Sequence, residues 1–293
     1  MDTKIAIVTG ANTGIGLETT IGLAKENYKV VMACRNKDKA KIAKNLILKK
    51  VPKADLDIMI LDLASFASVN EFAKSFKEKY KSLNLLVNNA GLYSKSNDRT
   101  LDGFEINFGV NYLGHFLLTA LLIDLMPDNS SSRIISLSSV AHKSGKIYLD
   151  DPNFENSSSE GKAYSQSKLA CLMFADELNR RLQSQGKKIL SVSAHPGVSG
   201  TDIFRGISKY RYFIIKYVLA PFLFHSVESA AQPILLAATG ENVKGGEYYG
   251  PQGYKDFKGE PGIAKRTQYS NDPKIAKDLW EISENLTSCR FGF

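Results

Sequence analysis

Near its start the chain reads Ile5-Ala6-Ile7-Val8-Thr9-Gly10-Ala11-Asn12-Thr13-Gly14-Ile15-Gly16, and an apolar pattern of helical period then runs from Ile15 to Asn27. A strand, a glycine-rich turn and a helix follow one another without a break. Gly10 can take a positive φ and Gly14 lets a backbone approach a pyrophosphate, while Gly16 lets the helix pack close on the strand. The first turn of the helix adds unpaired N–H donors. These are the requirements of a dinucleotide site. Outward from this unit, further short runs rich in Val, Ile and Leu read as buried strands: Lys4–Thr9, Lys29–Cys34, Leu56–Leu61, Leu83–Val87, Arg133–Leu137, Ile189–Ala194 and Gly246–Tyr249. Helical periods lie between them at Ile15–Asn27, Lys37–Lys50, Phe66–Tyr80, Leu101–Met126, Gly161–Gln185 and Ser226–Ala238. The alternation predicts an α/β fold, a doubly wound seven-stranded parallel sheet with helices on both faces.

Composition agrees with one folded unit. The 293 residues are 43% hydrophobic and 23% charged with ordinary Gly and Pro usage, which excludes disordered, collagen-like and low-complexity chains. No linker or repeat divides the chain, so residues 1–293 are expected to form a single domain. The net charge of +8 would favour acidic ligands, but no basic cluster or stacking array marks a nucleic-acid surface. Cys34, Cys171 and Cys289 lie far apart with no CxxC spacing, which predicts neither disulfides nor a thiolate metal site and favours a reducing, cytoplasmic setting. The first residues leave no room for a secretory leader. Tyr212–Phe224 is apolar but contains Lys216 and Pro221, and it falls short of the ~20 apolar residues a membrane span needs.

Other motifs follow in order: Asp62-Leu63 after the third strand, Asn88-Asn89-Ala90-Gly91 after the fourth, then Asn111, Ser139, Tyr164-x-x-x-Lys168 and Pro196-Gly197. With the GxxxGxG spacing of the first turn, this series resembles the short-chain dehydrogenase/reductase family over almost the whole chain. The resemblance implies a single-domain Rossmann fold. It also implies a cofactor site at Gly10, Asn12, Thr13, Gly14, Ile15 and Gly16, with Asp62 and Leu63 flanking the adenine and Asn89, Ala90 and Gly91 at the ribose. Pro196-Gly197-Val198-Ser199-Gly200-Thr201 matches the family's PGxxxT pattern, in which the backbone near Val198 meets the carboxamide and Thr201 the pyrophosphate.

The second strand ends Ala33-Cys34-Arg35-Asn36, with no acid to accept from a ribose 2′-OH. Arg35 could instead hold a 2′-phosphate bidentately, helped by Lys37 or Lys39, so Arg35 and Asn36 join the cofactor site and the expected cofactor is NADP(H).

Tyr164 and Lys168 are four apart and share one face of a helix. A phenol, with its ordinary pKa of about 10, is a poor acid–base catalyst at neutral pH unless a nearby cation stabilises the phenolate. By resemblance, Tyr164 exchanges the hydroxyl proton and Lys168 supplies the charge and holds the nicotinamide ribose. Ser139 steadies the substrate oxygen, while Asn111 fixes a helix bend and a relay water. Ser138 competes with Ser139, but strand alternation sends its side chain to the other face. His115 and His142 lack the spacing of metal ligands, and metal-independent hydride transfer is expected.

The interval from Ser139 to Tyr164 is longer than the family's usual one. That length, Ala33-Cys34-Arg35, Val110–Thr119 and Ser138-Ser139-Val140-Ala141-His142 are similar to the branch holding retinol dehydrogenases, WW-domain oxidoreductases and protochlorophyllide reductase. The resemblance implies oxidoreduction of a lipophilic alcohol, aldehyde or ketone. Substrate choice would reside in the 141–160 loop and in a lid at about 199–225, whose aromatic and basic residues 203–224 also suit peripheral membrane contact. Alternatives are C=C reduction of the protochlorophyllide reductase kind and a non-catalytic NADP(H)-binding regulatory subunit. Homo-oligomerisation through the Gly161–Gln185 and Ser226–Ala238 helices is also implied.

Overall fold

A run that is apolar on both of its alternating faces is satisfied only where helices cover both sides of a sheet. The computed structural model of the chain describes residues 3–95, 97–156, 161–197, 226–253 and 256–292. Its apolar runs become β1 (Ile5–Thr9), β2 (Lys29–Cys34), β3 (Leu56–Ile60), β4 (Leu85–Asn88), β5 (Arg133–Leu137), β6 (Leu190–Ala194) and β7 (Tyr248–Pro251). These seven run parallel in the order β3-β2-β1-β4-β5-β6-β7. An eighth strand, β8 (Pro261–Ile263), pairs antiparallel with β7, so the sheet has eight strands rather than the expected seven and one antiparallel edge. Its three residues, Pro-Gly-Ile, carry no apolar run that a sequence pattern could register.

Strand alternation divides the core in two. Ile7, Val31, Leu86 and Ile134 face helices Phe66–Lys79, Lys162–Ser184 and Pro273–Thr287 and the helical segment Ile106–Leu125. Ala6, Val8, Val30, Met32, Leu85 and Val87 face helices Gly14–Lys25, Lys37–Lys50 and Val227–Thr239. Side-chain caps fix several helix starts: Ser65 accepts from the Ser68 amide, Ser226 from that of Ser229, and Asp272 from Lys274 and Ile275.

The segment Ile106–Leu125 has a mean hydropathy of 1.5 and the length to cross a membrane, but 89% of it is buried inside the fold, so it is a core helix. It starts later than the periodicity predicts, because Asp102 and Gly103 form a turn with Gly103 at φ +87°. Residues Gly109–Leu113 within it form a π-turn.

The Pro273–Thr287 helix was not among the expected elements. Its buried stripe, Ala276, Leu279, Trp280, Ser283 and Thr287, has helical spacing but is diluted by two hydroxyls. Trp280 is 1% exposed and joins Phe116, Phe174 and Phe291 at centroid distances of 5.1, 5.7 and 4.5 Å. The chain's own C-terminal helix therefore covers one face of the Lys162–Ser184 helix, which was expected to contact a second subunit. Trp280→Ala should cost about 3–5 kcal/mol in urea-monitored unfolding. Trp280→Phe should cost far less, since the indole N–H it removes has no hydrogen-bond partner among the described residues; equal losses for the two would refute the packing account.

Candidate active site

β1 sits between β2 and β4, so the strand order reverses between the C-terminal ends of β1 and β4. Crevices at such a reversal are where open α/β sheets take ligands. The glycine turn leaves β1 at this point and Asn89-Ala90-Gly91 leaves β4 beside it. Gly10 stands at φ +67° and Gly14 at φ +55°, the left-handed region that glycine tolerates. A Cβ on Gly16 would lie 2.4 Å from the Gly10 carbonyl oxygen and 2.5 Å from Asn89 Nδ2, whereas one on Gly14 would meet nothing within 4 Å. Gly16 is thus required by the turn's own closure, and Gly14 presents an open face.

Thr9 ties these pieces together. Its Oγ1 accepts from the Asn89 and Ala90 amides at 2.9 and 2.8 Å and lies 2.9 Å from His115 Nε2. His115 Nδ1 faces the Asn111 carbonyl oxygen at 2.9 Å, and a carbonyl only accepts, so Nδ1 carries the ring proton. Nε2 is then the acceptor and the Thr9 hydroxyl donates to it. Asn89 Nδ2 donates to the Thr9 carbonyl at 2.7 Å.

Thr9, the turn from Gly10 through Asn12, Thr13, Gly14 and Ile15 to Gly16, Arg35, Asp62, Leu63, Asn89, Ala90 and Gly91 line one crevice of about 480 Å³. Arg35 is exposed, with no hydrogen-bond or ion-pair partner among the described residues. Asn36 does not line the crevice; it caps the next helix, its Oδ1 accepting from the Lys39 amide at 2.9 Å. Asp62 Oδ1 accepts from the Ala64 amide at 3.0 Å.

A second cleft of about 400 Å³ shares Ile15, Asn89, Gly91 and Leu92 with the first and adds Ser138, Ser139, Tyr164, Lys168, Pro196 and Gly197. Lys168 is 6% exposed and its Nζ donates to the Leu137 carbonyl at 3.1 Å. The Ser138 hydroxyl donates to the Lys168 carbonyl at 2.8 Å, whereas Ser139 Oγ accepts from the Ala141 amide at 3.2 Å and keeps its own proton to give. Asn111 lies in the π-turn and does not line the cleft. Its Oδ1 accepts from the Leu92 amide at 2.8 Å, and its Nδ2 donates to the Leu92 carbonyl and to Ser167 Oγ at 2.9 Å each. It therefore bridges the loop after β4 and the helix carrying Tyr164 and Lys168. Val198, Thr201 and the 199–225 lid lie outside the described residues. The described part of the 141–160 loop contributes nothing to the cleft lining. It is tied elsewhere, by Gln166 to Tyr148 and Pro152 and by Asn153 to Glu105.

Comparison with known proteins agrees with this geometry. The family model of the short chain dehydrogenase matches residues 4–211. The chain belongs to the short-chain dehydrogenase family. It is an oxidoreductase of CH–OH and C=O groups. Among relatives, mouse (Mus musculus) retinol dehydrogenase 13 is 39% identical over 289 residues, 97% of this chain and 83% of that one. The crystal structure of an uncharacterised protein from Mycobacterium Paratuberculosis superposes with a TM-score of 0.81 at 31% identity, covering 99% of this chain and 95% of that one. Pseudomonas aeruginosa RhlG, solved as a complex with NADP, shares the fold at 23% identity and a TM-score of 0.61, over 84% and 93% of the two chains.

Several supports of this dehydrogenase's cleft were missed in the sequence. Thr9 and Cys34 end neighbouring strands, and the backbone at Ala11 and Asn12 acts to lower the Cys34 thiol. Burial nevertheless pushes that thiol up to about 11, which keeps it protonated and inert. Tyr93 stands edge-on to Tyr164 at 5.1 Å. Strand-end position was the available signal for Thr9 and Cys34; nothing in the sequence marked Tyr93.

His115, His142 and His195 of the dehydrogenase are buried and neutral. Burial lowers His115 to about 4 and His195 to about 3, and it lowers His142 as well. An unfolded chain protonates each near 6.5, so each withdraws stability as pH falls from about 6.5, at about 1.4 kcal/mol per pH unit. Asp176 acts in the opposite sense, since burial raises its carboxyl to about 6 despite Arg266 at 2.6 Å. Comparing wild type with His195→Asn, which keeps an acceptor for the Gly197 amide, isolates one group. Between pH 6.5 and 5 the variant's urea-unfolding free energy should fall less steeply, by about 1.4 kcal/mol per pH unit. Parallel slopes would mean that His195 is protonated in the folded state.

Proposed function

We propose that the chain is an NADP(H)-dependent dehydrogenase that moves a hydride between nicotinamide and a lipophilic alcohol, aldehyde or ketone, with Tyr164 as general acid and base. The observation that carries this reading is the convergence of Ser139, Tyr164 and Lys168 on one cleft that opens into the glycine-turn crevice. A dinucleotide fits that crevice: Gly14 leaves its face open, the N-terminus of helix Gly14–Lys25 offers amide donors, and Arg35 has a guanidinium free for a 2′-phosphate. No Asp or Glu stands at the tip of β2 to select a 2′-OH instead. The NADP in the RhlG complex supports the same cofactor. When bound, the nicotinamide supplies or accepts the hydride.

The chain's own residues do the rest. Tyr164 passes a proton to or from the substrate oxygen, and Ser139 donates a hydrogen bond to that oxygen and orients it. Lys168 sits one helical turn from Tyr164, its Nζ 5.9 Å from the phenol ring centre, and brings positive charge to the same wall. Asn111 holds the Leu92 backbone and Ser167 in place around them. A lipophilic substrate is supported by Leu92, Tyr93 and Leu137 in the cleft lining and by the name of the retinol dehydrogenase relative. Residues 1–293 act as one catalytic domain, and the free thiols of Cys34, Cys171 and Cys289 suit the reducing cytoplasm.

Two substitutions test this reading. Tyr164→Phe should lower kcat by about 10²–10⁴-fold while the NADPH dissociation constant stays within a few-fold, because only the proton-transfer group is lost; wild-type turnover would end the mechanism. Arg35→Asp removes the phosphate contact and adds repulsion, so the kcat/KM ratio of NADPH to NADH should fall by about 10–100-fold, the value of a hydrogen bond to a charged group. An unchanged ratio would overturn the cofactor assignment.

A further inference from the structure

Ser139 and Tyr164 line the same cleft, yet the residue that holds Ser139 does not line it. His142 is 1% exposed, and its Nδ1 lies 2.7 Å from the Ser139 carbonyl oxygen. That oxygen can only accept, so Nδ1 carries the proton and donates it; the His142 amide donates to the same oxygen at 3.0 Å. His142 Nε2 is then a bare lone pair, buried and with no hydrogen-bond partner among the described residues. An apolar side chain of similar size would fill the space without that uncompensated desolvation, so packing alone does not account for an imidazole here.

The ring is fixed from behind. Tyr248 packs edge-on against it at 5.2 Å and is itself backed by the His195 ring at 5.0 Å. The next residue, Lys143, pairs with Asp256 Oδ2 at 2.5 Å and pins the Val140–Ser144 turn to the segment after β7. Ser139 caps that turn from the position just before it and its Oγ accepts from the Ala141 amide, so the pose of the turn sets where the remaining hydroxyl proton points.

We propose that His142 is a positioning residue that, through the Ser139 carbonyl, aims the Ser139 hydroxyl at the reacting oxygen of the substrate. The inference rests on the role given to Ser139 above. His142 touches neither cofactor nor substrate; it acts by holding the turn.

The test uses the full-length enzyme, the same alcohol or carbonyl substrate throughout, and NADPH binding by fluorescence titration. His142→Leu should lower kcat by about 10–100-fold, as expected when a positioned polar contact to the transition state is displaced, with the NADPH dissociation constant within twofold. His142→Asn, whose amide N–H can stand where Nδ1–H stood, should recover most of the loss, and His142→Gln should not. In a Ser139→Ala background, His142→Leu should have little further effect, because the two losses are one loss. Multiplying losses in the double variant, or equal activities for the Asn and Gln variants, would overturn the proposal. If His142→Leu does not fold, the comparison of Asn with Gln decides alone. Wild-type activity in Ser139→Ala would instead remove the catalytic role of Ser139, and a slow Ser139→Ala beside a normal His142→Leu would remove only the positioning role.

Discussion

One hydroxyl joins the two halves of the nucleotide crevice. Thr9 Oγ1 is within hydrogen-bond reach of two amides after β4 and of one imidazole on the core helix, and each partner fixes what the next can do. Because it accepts from Asn89 and Ala90, its proton is left for His115; because His115 must accept, its other nitrogen must give, and it gives to the Asn111 carbonyl. The end of β1, the end of β4 and the π-turn are thereby held as one body. The close approach of Gly16 to Asn89 follows, since the Asn89 side chain that closes the turn is held on Thr9 as well. A parallel sheet brings the two strand ends near each other, and Thr9 sets their spacing.

The alternation of elements was legible because buried parallel strands must be apolar on both faces. All seven expected strands formed, with ends shifted by a few residues, since runs such as Val30-Val31-Met32 have no other stable environment. Most of the candidate site was legible for a related reason. Residues that line a crevice at strand ends are confined to short stretches directly after each strand, and twelve of the positions expected to bind cofactor, from Gly10 to Gly91, fall in one crevice. Ser139 was chosen over Ser138 by family resemblance, with strand alternation in its favour; both line the cleft, but the Ser138 hydroxyl is taken by the Lys168 carbonyl.

What escaped has physical reasons. β8 is held by pairing with Tyr249-Gly250-Pro251 and not by its own Pro-Gly-Ile, so no local preference announces it. The Pro273–Thr287 helix buries two hydroxyl residues that bond within the protein: Ser283 with Tyr112 at 2.7 Å and Thr287 with the Ser283 carbonyl at 2.7 Å. A hydroxyl satisfied by tertiary contact looks polar in sequence and behaves as core. Asn36 shows a competing local demand. An asparagine beside Arg35 suggested a ligand contact, and its position one residue before a helix also makes it a cap, with Oδ1 committed to the Lys39 amide.

Two lysines line the cleft, Lys95 exposed and Lys168 buried. Among the described residues Lys168 makes no ion pair, and its Nζ donates to the neutral Leu137 carbonyl, so its charge is not spent on a carboxylate. Burying an ammonium this way is costly unless another group benefits from the charge. Meanwhile His115 is kept uncharged, by burial first and by the field of Lys168 as well, and burial keeps His142 and His195 uncharged on the far side of Ser139. Three neutral imidazoles can donate and accept in fixed tautomers without adding charge of their own, which suits them to hold backbone in place. The division of labour follows from position: histidines, which give up their charge easily when desolvated, build the frame, and Lys168 stands beside the Tyr164 ring.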